Sequence, residues 1–410
     1  MRQIARGVLL LFIFSIPWEY SLDWGEPVGN VARVLGLLAL LVAVLAVLRS
    51  DRLRTPGPMQ GVVLALYLWF CCSCFWSIDI QSSLEKLRGL AQETMIVWVA
   101  WEFIETPADL LLTMRALVAG SAVLAVMGLV NVGSIDAAVA GQFRIAAVGQ
   151  DPNDVARFLD LGLSVAAMLL LLEMRGRWRW LAVGYIPLGL VAVLLTASRS
   201  GFLAGAVVLV GNGILLARSH ARMFRRALFA LPAVATGLWF AIPREVFGRL
   251  GTIPEQVQSG DLNQRANIWI AGWDAFAHAP ILGTGVGTFV GSAGLASFDT
   301  AHNTLLSILV SGGLCALLLA TSIAALALDS IVRMRGALRT GMAISLLVLG
   351  MTSLVATIEE NRATWLFLGL IAVAGRLSAE REIVFGSRAA AQPSLLKPAT
   401  GVASIPMSVD

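Results

Sequence analysis

Long runs of apolar residues, separated by short polar connections, recur along most of the chain. Each run is close to the roughly 20 residues that a helix needs to cross a bilayer. Only helices and closed barrels satisfy their backbone hydrogen bonds in lipid, and runs of this length indicate helices. The pattern therefore predicts an all-α polytopic membrane protein. The apolar runs, about twelve in number, lie at about 4–19, 31–48, 59–76, 88–104, 109–133, 155–174, 180–197, 201–217, 226–243, 302–328, 340–358 and 363–378.

The composition agrees with a membrane protein. Hydrophobic residues make up 58% of the chain and charged residues 14%, whereas a soluble domain is roughly half apolar and about a quarter charged. The net charge of +4 indicates a bias in the loops and no nucleic-acid surface. The four cysteines lie inside apolar runs and are interpreted as packing residues.

Arginines cluster at alternate ends of the apolar runs, which predicts the orientation of the chain. Loops rich in arginine stay in the cytoplasm, so twelve spans would place both termini there. The clusters are Arg2 and Arg6; Arg49, Arg52 and Arg54; Arg175, Arg177 and Arg179; Arg218, Arg222, Arg225 and Arg226; and Arg333, Arg335 and Arg339.

One long polar segment, at residues 244–301, falls on the external side. Its aromatic residues, WIAGWDAF at 269–276, have helical spacing, and we expect amphipathic helices along the membrane face. The chain is thus divided into spans 1–9 over 1–243, this external loop over 244–301, spans 10–12 over 302–378 and a disordered cytoplasmic tail over 379–410.

Several arginines lie on the external side, where the orientation rule should deplete them. Arg199 stands in TASRSG, Arg265 in NQRANIW and Arg144 in GQFR, while Arg88 is a weaker member of the set. One alternative is that they form loop ion pairs or reach the membrane interface. The other is a phosphate site, because the guanidinium fork pairs with phosphate oxygens and keeps its charge.

A histidine, His302, and Asn303 stand at the mouth of the tenth apolar run, although the chain has only three histidines. The positive potential at a helix N-terminus favours a neutral imidazole, which can accept a proton. The alternative is that His302 caps the helix. DPND at 151–154 is interpreted as a helix cap, with Asn153 or Asp154 at the N-cap position. GTGVG at 283–287 is interpreted as a turn, and no metal-ligand spacing is present.

These segments resemble the bacterial O-antigen ligase and polymerase superfamily. Arg265, Trp269, PILGTGVGTF at 280–289, AHNTL at 301–305 and Gly313 are similar to its hallmark loop, and TASRSG at 196–201 to its arginine-bearing segment. Arg144 with the following Pro152 and Asn153, and WSI at 76–78 ahead of Ser83, resemble weaker upstream signatures. The resemblance covers about residues 60 to 378.

The resemblance implies a GT-C-like membrane glycosyltransferase of the bacterial inner membrane whose active site faces the periplasm. A WaaL-type ligase would transfer O-antigen from undecaprenyl pyrophosphate to lipid A-core. We expect His302 as the base, Arg199 and Arg265 as the leaving-group clamp, and Arg144, Asn303, Glu359 and Arg88 as substrate-binding residues. No metal or cofactor is expected, and direct displacement would invert the anomeric carbon.

Three alternatives stay open at this point. An O-antigen polymerase or a protein O-oligosaccharyltransferase of the same superfamily would differ in its acceptor. A transporter of lipid-linked glycans would use the arginines to bind an anionic substrate without chemistry.

Overall fold

The computed structural model describes residues 1–25, 28–130, 149–173, 176–259, 265–297 and 299–390. Its first half consists of helices joined by short turns. A 3-10 turn, Ile16–Ser21, follows α1. The helices are α1 (Arg2–Ser15), α2 (Val31–Ser50), α3 (Pro58–Ser73), α4 (Ile80–Phe103), α5 (Pro107–Val130), α6 (Pro152–Leu172), α7 (Arg179–Leu195), α8 (Arg199–Ser219) and α9 (Ala221–Ala241).

Short helices occupy the long polar segment, and three long helices follow it. The short ones are α10 (Arg244–Gly251), α11 (Ile253–Ser259), α12 (Arg265–His278) and α13 (Phe289–Ser292). The long ones are α14 (Thr304–Val332), α15 (Gly336–Ser353) and α16 (Arg362–Ala390).

This architecture confirms the prediction of an all-α polytopic membrane protein, and each of the twelve apolar runs coincides with a helix. Within the described ranges, eight helices are long and apolar enough to cross a membrane, and a bent pair formed by α9 and α10 would make a ninth. α3 and α7 are shorter apolar helices. The count of twelve spans therefore stays a prediction.

The N-terminus and the α4–α5 connection lie at the same end of the bundle. Arg2 pairs with Glu102 and Glu105, each at 2.7 Å, and Arg6 pairs with Asp109 at 2.8 Å. This acidic connection thus neutralises the first arginine cluster.

The helix α14 is broken at Gly313, where φ is 65° and ψ is −163°. The glycine-rich turn of residues 283–287 packs into this break. Thr284 N donates to the Val310 carbonyl at 2.8 Å, Gly285 N to the Ser311 carbonyl at 3.1 Å, and Leu314 N to the Pro280 carbonyl at 2.9 Å. Backbone groups freed at membrane depth are tolerated where protein satisfies them in this way. The first nine residues of α14, 304–312, therefore form a separate half-helix.

The C-terminal helix extends beyond the apolar run that ends near residue 378. α16 continues to Ala390, so the beginning of the predicted disordered tail is helical. Residues 379–390 contain no proline, and Arg376 pairs with Glu380 at i,i+4 at 3.1 Å, which supports continuation of the helix. The rest of the predicted tail, 391–410, lies outside the described residues.

Candidate active site

His302 lies directly before the half-helix in a left-handed conformation, with φ of 46°. Asn303 is the N-cap of the helix, and its Oδ1 accepts from Leu306 N at 3.0 Å. Its Nδ2 donates to the Leu354 carbonyl at 3.3 Å. Because Asn303 serves as the cap, His302 is not needed for capping, and its half-buried imidazole stands at the helix mouth.

The helix α12 brings Arg265 toward this histidine. Trp269 Nε1 donates to the carbonyl of Ala301 at 3.1 Å, one residue before His302. Arg265 precedes Trp269 by one turn, so both residues share a face of α12. Burial, and then the charge of Arg265, lower the pKa of His302, while Asp151 and Asp299 act in the opposite direction. The imidazole is therefore held in its neutral, proton-accepting form.

The N-termini of α6 and α8 meet on the next side of the site. Asn153 Oδ1 accepts from Ser198 Oγ at 2.8 Å, and Ser198 in turn caps α8 by accepting from Gly201 N at 3.1 Å. The expected cap of α6 was wrong. Asp151 is the N-cap and accepts from Asn153 N, because Pro152 occupies the first helical position, where it lacks an N–H and has the required φ.

Arg199 is held by the end of a loop helix. Its Nε donates to the Arg249 carbonyl at 3.3 Å and its Nη2 to Thr252 Oγ1 at 2.6 Å. Arg249 Nε donates back to the Ala197 carbonyl at 3.1 Å. The two arginines thus join the start of α8 to the C-terminus of α10, whose carbonyls attract cations.

These contacts, and the influence of Asp151 on His302, arrange helix ends in a partial ring at one end of the bundle. The N-terminus of α6 contacts that of α8 through Asn153 and Ser198, and both Arg265 at the start of α12 and Asp151 at the start of α6 act on His302 at the mouth of α14. A helix N-terminus carries backbone N–H groups without a helical partner. Together with Arg199, Arg249 and Arg265 they create a positive potential. Such an arrangement favours a phosphorylated ligand.

Comparison with known protein families agrees with this geometry. Residues 183–321 match the Wzy_C family model, described as "O-Antigen ligase". This match supports the resemblance of the chain to the O-antigen ligase superfamily. The matched domain contains Arg199, Arg265 and His302. The N-terminus of α6 belongs to the same ring but precedes the matched residues. A search of curated proteins finds no match.

Two further arginines were missed by the sequence reasoning. Arg249 lies in a polar loop, and its sequence context does not mark it as a functional residue. Arg157 lies in α6, is 2% exposed and pairs with Asp154 at 2.8 Å, while its Nε has no hydrogen-bond partner among the described residues. An arginine inside an apolar run is itself a signal of function, which could have marked Arg157.

Behind the half-helix lies a mostly apolar cavity of about 210 Å³. Lys86, Thr304, Ser307 and Glu359 form its polar end. The carboxylate of Glu359 hydrogen-bonds Ser307, and one of its oxygens, Oε2, has no partner within the described parts of the chain. Burial, and then the neighbouring Glu360, hold the pKa of Glu359 well above that of a free glutamate.

The remaining expected site residues are placed differently. Arg88 lies exposed on α4, two residues from Lys86 and therefore on the opposite face of the helix. Arg144 lies outside the described residues. Within the described ranges, no group of three or more His, Cys, Asp or Glu residues could hold a metal ion.

Proposed function

We propose that this protein is an O-antigen ligase that transfers a glycan from undecaprenyl pyrophosphate to lipid A-core on the periplasmic side of the inner membrane. The observation that carries the proposal is the position of His302. It is a histidine kept neutral by burial and by Arg265, at the mouth of α14 and within the electrostatic influence of the N-termini of α12 and α6.

Arg265 and Arg199 are the proposed clamp for the pyrophosphate. As the glycan leaves, the bond between its anomeric carbon and the phosphate oxygen breaks, and negative charge grows on the pyrophosphate. Fixed cations and helix N-termini stabilise that charge without reorganising. Arg249 lies against Arg199 and adds to the same positive potential.

His302 is the proposed general base. The acceptor hydroxyl gives its proton to the imidazole while its oxygen attacks the anomeric carbon. The electron pair of the breaking bond leaves with undecaprenyl pyrophosphate. A single displacement of this kind inverts the anomeric centre and needs no covalent enzyme intermediate.

The cavity behind the half-helix is suited to the lipid chain of one substrate. Its walls are apolar, and its polar end lies beside the residues that follow His302. Glu359, with its raised pKa and an unpartnered oxygen, is placed to hydrogen-bond a sugar hydroxyl there. Asn303 is proposed to act through the helix cap that fixes the position of His302.

The direct test is transfer by the purified protein in nanodiscs. Lipid-linked O-antigen and lipid A-core are supplied in EDTA without added metal. The proposal expects a lipid A-core product with inverted linkage. Extension of the lipid-linked glycan alone would identify a polymerase, and a glycosylated protein acceptor would identify an oligosaccharyltransferase. A requirement for added Mg²⁺ or Mn²⁺ would contradict the proposed leaving-group chemistry.

A transporter without chemistry is distinguished by the same assay. It would bind the donor but form no product, and replacement of His302 would leave its activity unchanged. A matched reaction with His302→Ala therefore accompanies the wild-type assay.

A further inference from the structure

A second, larger cavity of about 660 Å³ lies in the half of the bundle that the arginine pattern assigns to the cytoplasm. It is enclosed by the C-terminal part of α6, the middle of α7, the second half of α8 and the first half of α9. Its lining is apolar except for Asn212, and its volume falls within the roughly 300–1,000 Å³ of typical ligand sites. Exposed lining residues such as Leu209 and Leu228 show that the cavity opens toward lipid.

The helix α9 closes this cavity loosely. α9 packs against α8, and none of its described residues is buried. Phe224, Ala227, Leu228 and Leu231 face the cavity from its first half. Asn212 presents a buried Oδ1 with no hydrogen-bond partner in the described structure. The described structure therefore leaves a gap between this apolar face of α9 and the rest of the bundle.

The rim of the cavity is basic. Arg218, Arg222, Arg225 and Arg226 are exposed at the α8–α9 turn, directly beyond the apolar lining. On the other side, Arg177 lies in the α6–α7 connection and Arg179 begins α7. Glu173, at the end of α6, is paired with Arg115, and no acidic residue occurs in the sequence between Glu173 and Glu245.

We propose that the cavity binds one anionic phospholipid of the cytoplasmic leaflet, with its acyl chain between α8 and α9 and its phosphate at the basic rim. An apolar cavity with a basic cluster at the cytoplasmic surface is the arrangement that favours such lipids. The bound chain completes the packing of α9, which leads through a bend of 105° into α10 and Arg249. The proposal does not depend on the reaction at the external site.

Two double variants with equal loss of charge test this site. Arg179 lies two turns before the lining residue Ile186 on the same face of α7, and Arg225 lies beside the lining residue Phe224 of α9. By helical phase, Arg222 and Arg226 lie on the side of α9 away from the lining. We expect Arg179→Gln/Arg225→Gln to weaken binding of phosphatidylglycerol by about 30-fold, from the usual contribution of each basic residue. Arg222→Gln/Arg226→Gln should change it far less.

Binding is measured by native mass spectrometry of the full-length protein, with phosphatidylcholine as the neutral comparison. If both double variants lost phosphatidylglycerol binding equally, the lipid would be attracted nonspecifically by surface charge, and the proposal would be overturned. Equal binding of phosphatidylglycerol and phosphatidylcholine by the wild type would also overturn it. Gly213→Leu gives an independent test that keeps every arginine. A Cβ there meets only Phe224, at 3.8 Å, so the side chain can enter the cavity. We expect this variant to fold and to lose the lipid; unchanged binding would contradict the site.

Discussion

Arg265 begins α12 and His302 lies directly before α14, and the charge of the arginine acts on the imidazole. The positive charge of Arg265 disfavours protonation of His302. Neutral His302 therefore persists to a lower pH than a free histidine, whose pKa is about 6.5. Arg265 is thus proposed both to bind the pyrophosphate leaving group and to keep the base, His302, neutral.

This coupling predicts the pH dependence of transfer. As the pH falls through the lowered pKa, His302 becomes protonated and the rate declines, so the acidic limb should lie below the pKa of a free histidine. Arg265→Gln removes the neighbouring charge, raises the pKa of His302 and moves the acidic limb to higher pH. Initial rates at saturating donor measure this shift. His278→Gln, in which a histidine distant from the ring is replaced, should leave the limb in place.

Arg199 and Arg265 differ in their structural roles, so their replacement should have different consequences. Arg199 binds the end of α10 through Arg249 and Thr252. Arg199→Ala should therefore lower the melting temperature as well as donor affinity. Arg265→Ala should weaken donor binding and turnover with less effect on melting.

Lysine at either position should restore only part of the function, since a point charge replaces a two-pronged donor. Donor binding and thermal melting of the four variants separate the two roles. If the two alanine variants had equal melting temperatures and both kept wild-type donor affinity, the proposed pyrophosphate clamp would be refuted.

At the scale of the element, the half-helix depends on Gly313. A Cβ at this position would lie 2.1 Å from the Ile281 carbonyl oxygen, and its φ of 65° is unfavourable for other residues. Gly313→Ala should destabilise the protein by at least about 1–3 kcal/mol and displace His302. Gly350→Ala, where nothing lies within 4 Å, should be neutral or slightly stabilising. Thermal melting and transfer rate measure both effects, and equal behaviour of the two variants would contradict the broken helix.

The positions of the long helices could be predicted from the sequence because a helix that crosses the bilayer needs an apolar run of roughly 20 residues. The break in α14 did not, because a glycine inside an apolar run is equally compatible with close helix packing. The break depends on hydrogen bonds from residues 280–285, which are distant in sequence. The cap at Asp151 was missed because Pro152 shifted the start of α6.

The sequence placed His302, Arg199 and Arg265 on one side of the membrane, but it could not determine their neighbours. Arg249 enters through the fold of the polar loop, and Arg157 lies within an apolar run. The position of Arg249 depends on tertiary packing between segments about 50 residues apart, as its contact with Arg199 shows.

At the scale of the whole molecule, the orientation in the membrane is the central assumption. In a background with the native cysteines replaced, Asn267→Cys, which is exposed beside Arg265, should react with a membrane-impermeant maleimide in intact cells. Ser219→Cys, exposed at the opposite end of α8, should react only after lysis. If only Ser219→Cys reacted in intact cells, the orientation would be the opposite of the predicted one, and the site would face the cytoplasm.

The account rests most heavily on His302 as the base, and its removal is the most direct test. Donor binding and initial transfer rate are measured for His302→Ala in nanodiscs, with His278→Ala as the matched control and thermal melting as the check on folding. We expect donor binding close to that of the wild type and a turnover reduced by about 10²–10⁴-fold, the usual contribution of a positioned base. A folded His302→Ala protein that transfers glycan at the wild-type rate would contradict the account.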